Sequence, residues 1–485
     1  MNLQTANLLE QAQLAHAAAN WTLLLQCLQQ LMSDRRQETK DKSNSQFTID
    51  ANATLRVSRR RSEALHNSQL SHAPRRSFRR EDVSPTARFT TYHAPLSWAI
   101  DILIWGDFHQ RWDVVKLLPK FGREAIAPLL EILADEDADE ELRWFAVRSL
   151  GAFDDPEAIA GLVELLQTSA NSEEQGIAAA ALAEIGLSAV SAITKLLERE
   201  DTRALAARSL AYIRTKETIA PLLSIVQDSN VEIRAIAIEA LSSFHDPRIP
   251  PVLVDALNDL GAKVRKEAVT GLSFRPDLRE ELNLVELLLL RLYDFSIDVC
   301  LAAANGLGRL GTDRAATGLF RVLSSPHTPI ALQIEIVLAL GRIGTSVSLE
   351  YLRQVFEQMT SIATWQETIN ALGRVEQRSL KPQAAEILLE LLCTNHVVAQ
   401  HVKLKQAIAL SLGQLGKMQA IPSLIQLLAD SDLAVKLHAI AALKQLDSAT
   451  AYQQLAQLAN DSTISPQLQQ GVALALQEWD LNRSF

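Results

Sequence analysis

Four tryptophans fall within 47 residues, in a chain that contains only seven. They are Trp98, Trp105, Trp112 and Trp144. Indole rings anchor protein partners and stack on planar groups, and nearby arginines add charge to such a site. The same rings could instead close the end of a hydrophobic core. We predict a binding surface formed by Trp105, Arg111, Trp112, Arg143 and Trp144.

A second group of residues with chemical potential is rich in arginine. Residues 51–80 contain eight arginines and a single acidic residue, Glu63. The most clustered are Arg59, Arg60, Arg61, Arg75, Arg76, Arg79 and Arg80. Such a segment could be a solvated linker, could dock on an acidic protein surface, or could neutralise phosphates. Nucleic acid is not the expected partner, because few aromatic residues are available for stacking and no reader fold accompanies the segment.

Serines follow two of these arginine clusters. Ser62 stands after "RRR" and Ser77 after "RR", a pattern typical of basophilic kinase substrates. A phosphate on either serine would reduce the local positive charge and could release a partner. Ser62 and Ser77 are therefore predicted phosphorylation sites.

Other motifs are better explained by structure than by chemistry. Cys393, His396 and His401 lack a fourth metal ligand nearby, and we expect no metal. The sequence "GLGRLG" at 306–311 resembles a dinucleotide motif, but its glycines follow a helical pattern, where they favour a helix C-cap. We identify no catalytic residue and expect no cofactor.

The composition favours helices throughout. Hydrophobic residues make up 48% of the chain and aromatic residues 5%, with 18 glycines and 16 prolines in 485 residues. Three widely spaced cysteines indicate a reducing compartment, and the N-terminal sequence lacks the pattern of a signal peptide. No apolar stretch is read as a membrane span. A cytoplasmic location is the expectation.

A helix-pair pattern repeats from residue 95 to the C-terminus. First helices open at "AIAPLLEIL" (125), "AIAGLVELL" (158) and nine further positions, the last at "AYQQLAQLA" (451), with spacings of 29 to 36 residues. Each copy leaves an apolar face that only a neighbouring copy can cover. We predict an all-α fold with an α-solenoid superhelix of about 11–12 helix pairs at 96–485. A helical hairpin at 1–32 and a disordered Arg/Ser-rich linker at 33–95 precede it.

An aspartate between the two helices is followed six positions later by a basic residue in several copies. The pairs are Asp137 and Arg143, Asp228 and Arg234, Asp259 and Arg265, and Asp430 and Lys436. This pattern resembles the HEAT-repeat family, in which such residues form a hydrogen-bonded ladder between successive units. We therefore interpret them as structural. Cys300, Gln333 and Trp365 occupy the basic position in other copies, so an interruption of the ladder is predicted there.

The short, alanine-rich units that end in Leu-Gly look most like the phycobilisome-lyase type of HEAT-like repeat of cyanobacteria. That resemblance implies two functions. The first is a non-enzymatic scaffold or assembly factor that binds a protein partner, such as a phycobiliprotein or a photosynthetic complex subunit. The alternative is a bilin lyase or bilin-handling protein of the E/F type, with a bilin as its ligand. Whether the protein is an enzyme stays open, and the scaffold is preferred.

Overall fold

The computed structural model describes residues 3–43, 94–135 and 137–481. The chain divides into two compact units, Met1–Pro221 and Leu222–Phe485. Each unit consists of helices and short 3-10 turns, and no strand occurs in the ranges just given.

In the residues that the structure describes, the first unit has ten helices and the start of an eleventh. They are α1 (Leu3–Ala17), α2 (Trp21–Ser43), α3 (Ala94–Trp105), α4 (Phe108–Val115), α5 (Ile126–Ala134), α6 (Glu140–Leu150), α7 (Pro156–Thr168), α8 (Ser172–Ile185), α9 (Val190–Leu196) and α10 (Glu200–Ile213). The division between the units falls inside α11 (Ile219–Ser224).

The second unit continues the same alternation of first and second helices. It contains α12 (Val231–Leu241), α13 (Ile249–Ala256), α14 (Ala262–Ser273), α15 (Leu284–Arg291), α16 (Ile297–Leu310), α17 (Asp313–Leu323), α18 (Ile330–Ile343), α19 (Ser346–Gln358), α20 (Ile362–Gly373), α21 (Lys381–Cys393), α22 (Val397–Gln400), α23 (Val402–Leu415), α24 (Ile421–Gln426), α25 (Leu433–Ala459) and α26 (Pro466–Leu481).

Stacking of the second helices builds the core of each unit. In the first unit α4, α6, α8 and α10 pack in series, and in the second unit α12, α14, α16, α18, α20, α23 and α25 do the same. Their inward residues are almost all Leu, Ile, Val and Ala. Each fully buried leucine contributes roughly 1.5–3 kcal/mol. This arrangement confirms the predicted α-solenoid.

Glycines in the second helices allow close approach and end the helices. A Cβ on Gly308 of α16 would lie 2.9 Å from the Cα of Ala339 in α18, so only glycine fits this crossing. Gly311, which follows α16, has φ +67° and accepts the left-handed conformation of a C-cap. Gly311 ends the helix as predicted, whereas Gly308 lies inside α16 and serves packing, which was not predicted.

The N-terminal hairpin packs on the first repeats. Helix α2 contacts α3 and α4, and the ring of His16 lies 2.8 Å from the carboxylate of Asp101, which is 2% exposed. Burial raises the pKa of Asp101, while the hydrogen bond with His16 acts in the opposite direction. The Gln110 side chain donates to the Thr22 hydroxyl at 3.0 Å. These contacts join the hairpin to the repeats of the same unit.

Two predicted helix boundaries are wrong. Helix α2 continues to Ser43, beyond the boundary predicted at residue 32, because residues 33–43 are polar but contain neither glycine nor proline. Helix α25 runs unbroken from Leu433 to Ala459, where a turn before residue 451 was predicted. The segment "KQLDSATAYQ" lacks the glycine that ends other second helices. Of the predicted linker, residues 44–93 lie outside the described residues.

One stretch passes a length and composition test for a membrane-spanning helix. It is Ser172–Leu196, and 44% of its apolar window is buried within the protein. Gly186, with φ +84°, separates this stretch into α8 and α9. A buried core helix passes the same test.

Candidate binding surface

Arginine–aspartate pairs connect successive repeats of the second unit. Arg234 of α12 donates from Nε and Nη2 to the Asp259 carboxylate at 2.8 and 2.7 Å. Arg265 of α14 donates in the same way to Asp294 at 2.8 and 2.6 Å. The remaining Nη1 of each arginine donates to the carbonyl oxygen six residues earlier, that of Asp228 or Asp259, at 2.8 Å. These contacts form the inter-repeat ladder.

The ladder has a direction that the spacing alone does not reveal. Within one repeat the base binds only the backbone of the aspartate six positions earlier, and the carboxylate comes from the next repeat. Asp294 is the last carboxylate of this series. It was not predicted, because the residue six positions after it is Cys300 and not a basic residue. The Cys300 Sγ donates to the Asp294 carbonyl oxygen at 3.2 Å, the contact an arginine makes elsewhere.

Two of the predicted pairs are arranged differently. Arg143 donates to Glu174 at 2.8 Å and to the Asp135 carbonyl oxygen at 3.3 Å, so the Asp137 side chain does not take part. The backbone N–H of Asp137 donates to the carboxylate of Asp135.

At the other end of the chain, the carboxylate of Asp430 pairs with Lys405 of the preceding repeat. No bond between Asp430 and the side chain of Lys436 is found in the part of the chain that the structure describes.

Uncharged side chains occupy the ladder positions in the middle of the second unit. Gln333 donates to the Thr328 carbonyl oxygen at 2.9 Å and accepts from Thr364 at 3.0 Å, a neutral version of the same bridge. Trp365 is 5% exposed, and its indole N–H has no partner among the described residues. Together with Cys300, these residues interrupt the series of ion pairs.

The ladder predicts how acid affects the second unit. Hydrogen bonds from Arg234 and Arg265 hold the pKa values of Asp259 and Asp294 below the ordinary value of 3.8. A depressed folded-state pKa stabilises the fold above the unfolded pKa, and that stability is lost as pH falls through the folded pKa. We expect the urea midpoint of the second unit to decrease below about pH 3.8.

The Asp294→Asn variant isolates this contribution. It lacks one of the two carboxylates, so its midpoint, followed by circular dichroism at pH 6, 4 and 3, should decrease less than that of the wild type. Asp313→Asn, an exposed aspartate without such a pair, should keep the full decrease. An identical decrease in wild type and Asp294→Asn would contradict the assignment.

In the first unit, two tryptophans stack across neighbouring repeats. Trp112 of α4 and Trp144 of α6 have ring centroids 6.3 Å apart and an interplanar angle of 17°. Phe108, one turn before Trp112, stacks on it at 6.2 Å. Both indoles are half-buried, and Phe108 is exposed. The three rings form a continuous aromatic surface on the second-helix layer.

Two cations lie over this surface. The Arg148 guanidinium carbon is 5.0 Å from the ring centroid of Trp112 and 5.5 Å from that of Trp144. The ammonium of Lys116 is 5.7 Å from the Trp112 ring. Both cations are exposed, as expected of surface cation–π contacts. We call Phe108, Trp112, Lys116, Trp144 and Arg148 the tryptophan patch.

Helix starts and one buried ring fix the patch. Asp107 and Gln110 form a reciprocal capping box at the start of α4, with both hydrogen bonds at 2.9 Å. The Asp139 carboxylate caps α6 by accepting from the backbone N–H of Leu142. Beneath the patch Phe145 is fully buried, with its ring 4.9 Å from that of Trp144.

The structure separates the predicted binding residues. Trp112 and Trp144 lie together, whereas Trp105 is exposed at the end of α3 and is not part of their stack. Arg111 is 8% exposed, donates to the Ile104 carbonyl oxygen at 2.8 Å and lies near two carboxylates of α6. Arg143 belongs to the Glu174 ion pair described above. Burial and these bonds leave Arg111 and Arg143 as contacts between helices.

Arg148 and Lys116 were missed by sequence reasoning. Each stands four residues after a tryptophan, at 144 and 112, and residues four apart share one face of a helix. That spacing was the signal that could have found them.

Two further groups of residues were considered in the sequence. They are Cys393 with His396 and His401, and the arginine-rich segment with its two serines. Within the described ranges no group of three His, Cys, Asp or Glu side chains could hold a metal ion. His396 accepts from the Val398 backbone N–H at 3.3 Å, so it caps α22. The arginines at 59–61, 75, 76, 79 and 80, and the serines at 62 and 77, fall in the undescribed segment 44–93.

The sequence matches the family model of HEAT repeats at residues 106–183, 190–273 and 397–477, half of the chain. With the helix pairs and the ladder described above, this chain belongs to the HEAT-repeat family. Comparison with curated proteins gives no match.

Solved structures with a similar fold include importin beta and Kap95. Importin beta is 13% identical with a TM-score of 0.51, over 79% of this chain and 60% of that one. Kap95 in its complex with Nup1 is 15% identical with a TM-score of 0.54 over the same shares. This chain thus spans about three-fifths of their length. These likenesses show the fold alone.

The CpcE–CpcF complex of phycocyanin lyase from Nostoc sp. PCC7120 is also similar. It is 20% identical over 53% of this chain and 94% of that chain, with a TM-score of 0.29. At this TM-score the likeness supports no inference about function.

Proposed function

We propose that this HEAT-repeat protein is a non-enzymatic binding scaffold and that the tryptophan patch contacts its protein partner. The observation that carries the proposal is the stacking of half-exposed Trp112 and Trp144 across two repeats, with Arg148 over both rings. Tryptophan and arginine are the residues most enriched at energetically important interface positions.

The surroundings of the patch favour binding over simple core packing. By the repeat register, Gly176 of α8 follows Trp144 by 32 residues, as Trp144 follows Trp112. A Cβ on Gly176 would meet nothing within 4 Å, and glycine adds no third ring to the stack at this position. A partner could therefore approach Trp144 from the side of α8.

The patch also defines the chemistry of the partner. Its aromatic faces suit an apolar or aromatic side chain, and the exposed guanidinium of Arg148 suits a carboxylate, whereas the Lys116 ammonium already bonds Asp113 at 2.7 Å. We infer a protein surface that presents an acidic residue beside an apolar one. Because the helices that carry the patch are already folded, this protein loses little conformational entropy when the partner binds.

A phycobiliprotein or a photosynthetic complex subunit stays the proposed identity of that partner, and the cytoplasm the proposed location. The support is the resemblance of the short Leu-Gly-ended repeats to the phycobilisome-lyase type. The three cysteines are free, consistent with a reducing compartment.

Bilin handling is the second candidate function. The same patch favours it, because two nearly parallel indoles could stack on a tetrapyrrole ring while Arg148 binds one of its carboxylates. In that case the protein would act mainly by holding the bilin beside an acceptor cysteine.

Two variants and two measurements test these functions. The Trp144→Ala/Arg148→Gln double variant removes half of the patch, and Trp105→Ala, an exposed tryptophan outside it, is the matched control. Affinity capture from native cyanobacterial lysate should retain an acidic partner on wild type and control, with at least tenfold less on the double variant. Equal retention by all three would reject the patch as the contact.

The second measurement distinguishes the two candidates. Purified protein is titrated with phycocyanobilin, and visible absorbance and induced circular dichroism are recorded. A saturable spectral change that the double variant loses supports bilin handling. No spectral change, with helical circular dichroism intact, excludes it and leaves the scaffold.

A further inference from the structure

A groove of about 460 Å³ lies between two neighbouring repeats of the second unit. Its apolar walls come from side chains of the loop after α11, from α12 and from α13, including Val226, Ile238 and Val252. The volume is within the range of ligand-binding clefts. The groove is separate from the tryptophan patch, which lies in the first unit.

The charge of the groove is negative. Three carboxylates line it, those of Asp228, Asp255 and Asp259, against the single guanidinium of Arg234. That guanidinium is already engaged, because it bonds both Asp259 oxygens and the carbonyl oxygens of Asp228 and Ser229. An anionic ligand would therefore find no free cation among the lining residues.

The acceptors that remain free stand at the rim. Asp255 is exposed, and its carboxylate has no hydrogen-bonding or ion-pair partner within the described ranges. The side-chain amides of Gln227 and Asn258 are exposed beside it and likewise make no bond to a described residue. A carboxylate and two amide oxygens above an apolar cleft match a cation carried on an aliphatic stem.

An exposed apolar residue adjoins the same groove. Leu260, in the loop after α13, is 97% exposed and lines the groove. A leucine so exposed gains burial only if a partner covers it. The ladder holds the loop on both sides, since Asp259 bonds Arg234 and the Leu260 carbonyl oxygen accepts from Arg265 at 3.1 Å.

We propose that this groove, which we call the Asp255 groove, binds an arginine side chain of a basic segment on a partner protein. The arginine stem lies along Val252 and Ile238, its guanidinium reaches Asp255, and an apolar neighbour packs on Leu260. Arginine suits the site better than lysine because its planar fork can bond a carboxylate and an amide oxygen together.

Fluorescence polarisation with short labelled peptides tests this site on the full chain. The probes are fluorescein-Gly-Leu-Arg-Leu-Ser-Gly and its analogue with glutamine in place of arginine. We expect the arginine peptide to bind about tenfold more tightly than the glutamine peptide. Affinity should weaken at high salt.

Substitutions at exposed positions then locate the binding without disturbing the fold. Asp255→Asn should weaken the arginine peptide about tenfold and leave the glutamine peptide unchanged. Leu260→Ser should weaken both peptides. Asp313→Asn, at an exposed position outside the groove, is the control that should change neither.

Three results would overturn the proposal. They are equal affinity for the arginine and glutamine peptides, an arginine affinity that survives Asp255→Asn, and binding of none of the peptides at millimolar concentration by a chain with native circular dichroism.

Discussion

Replacing Phe145 with alanine is expected to destabilise the first unit by about 4 kcal/mol. Phe145 is the largest fully buried side chain of α6, and its ring contacts those of Trp144 and Phe108 at 4.9 and 5.4 Å. Truncation removes the transfer free energy of the ring and leaves a cavity that a packed helix layer cannot close.

The loss can be followed in the intact chain by tryptophan fluorescence during urea unfolding. Five of the seven tryptophans, at 21, 98, 105, 112 and 144, belong to the first unit and report mainly on it. The matched control is Phe108→Ala in the same stack, where the ring is 43% exposed and the expected loss is only about 1 kcal/mol. Equal losses for the two variants would show that Phe145 is not the support of the patch.

Replacing Asp294 with asparagine is expected to destabilise the second unit by about 2–3 kcal/mol. The side chains of Asp294 and Arg265 are only 6% and 13% exposed. Without the carboxylate charge, the guanidinium of Arg265 stays in a largely buried position with a much weaker partner. Removing one member of a buried pair costs more than the pair itself contributes.

Urea unfolding at pH 7, monitored by circular dichroism, measures this effect. The control is Glu286→Gln, which breaks the exposed pair between Glu286 and Arg314, whose side chains are 51% and 71% exposed. Solvent screens that pair, so its loss should leave the midpoint unchanged. If Asp294→Asn also leaves the midpoint unchanged, the ladder does not stabilise the unit.

Periodicity was sufficient to predict the fold because each repeat meets nearly the same environment. The spacing of the apolar stretches identified the helix pairs, and the glycine endings located the C-caps of α6, α8, α16, α18 and α23. The exceptions were at positions without such a signal. Helix α25 continues where no glycine ends it, and α2 continues because polar residues without glycine or proline are compatible with helix.

The candidate site was predictable only in part, since the type of a residue does not reveal which way its side chain points. Trp112 and Trp144 were chosen for their density, whereas Arg111 was assigned to the surface and instead bonds α3. Arg143 was assigned both to the surface and to the ladder, and it bonds Glu174 of the next repeat. The actual cation over both rings is Arg148. Likewise, each ladder carboxylate belongs to the following repeat, a fact that depends on how neighbours stack.

The interruption of the ladder has a mechanical consequence. Bending a solenoid separates the loops of adjacent repeats, and a two-bond ion pair resists that separation more than a single neutral contact does. Around α12–α15, Arg234 and Arg265 act as such cross-braces. Around α16–α20, Cys300, Gln333 and Trp365 replace them. The middle of the second unit therefore lacks these charged cross-braces, and we expect strain from a bound partner to open the ladder positions there first.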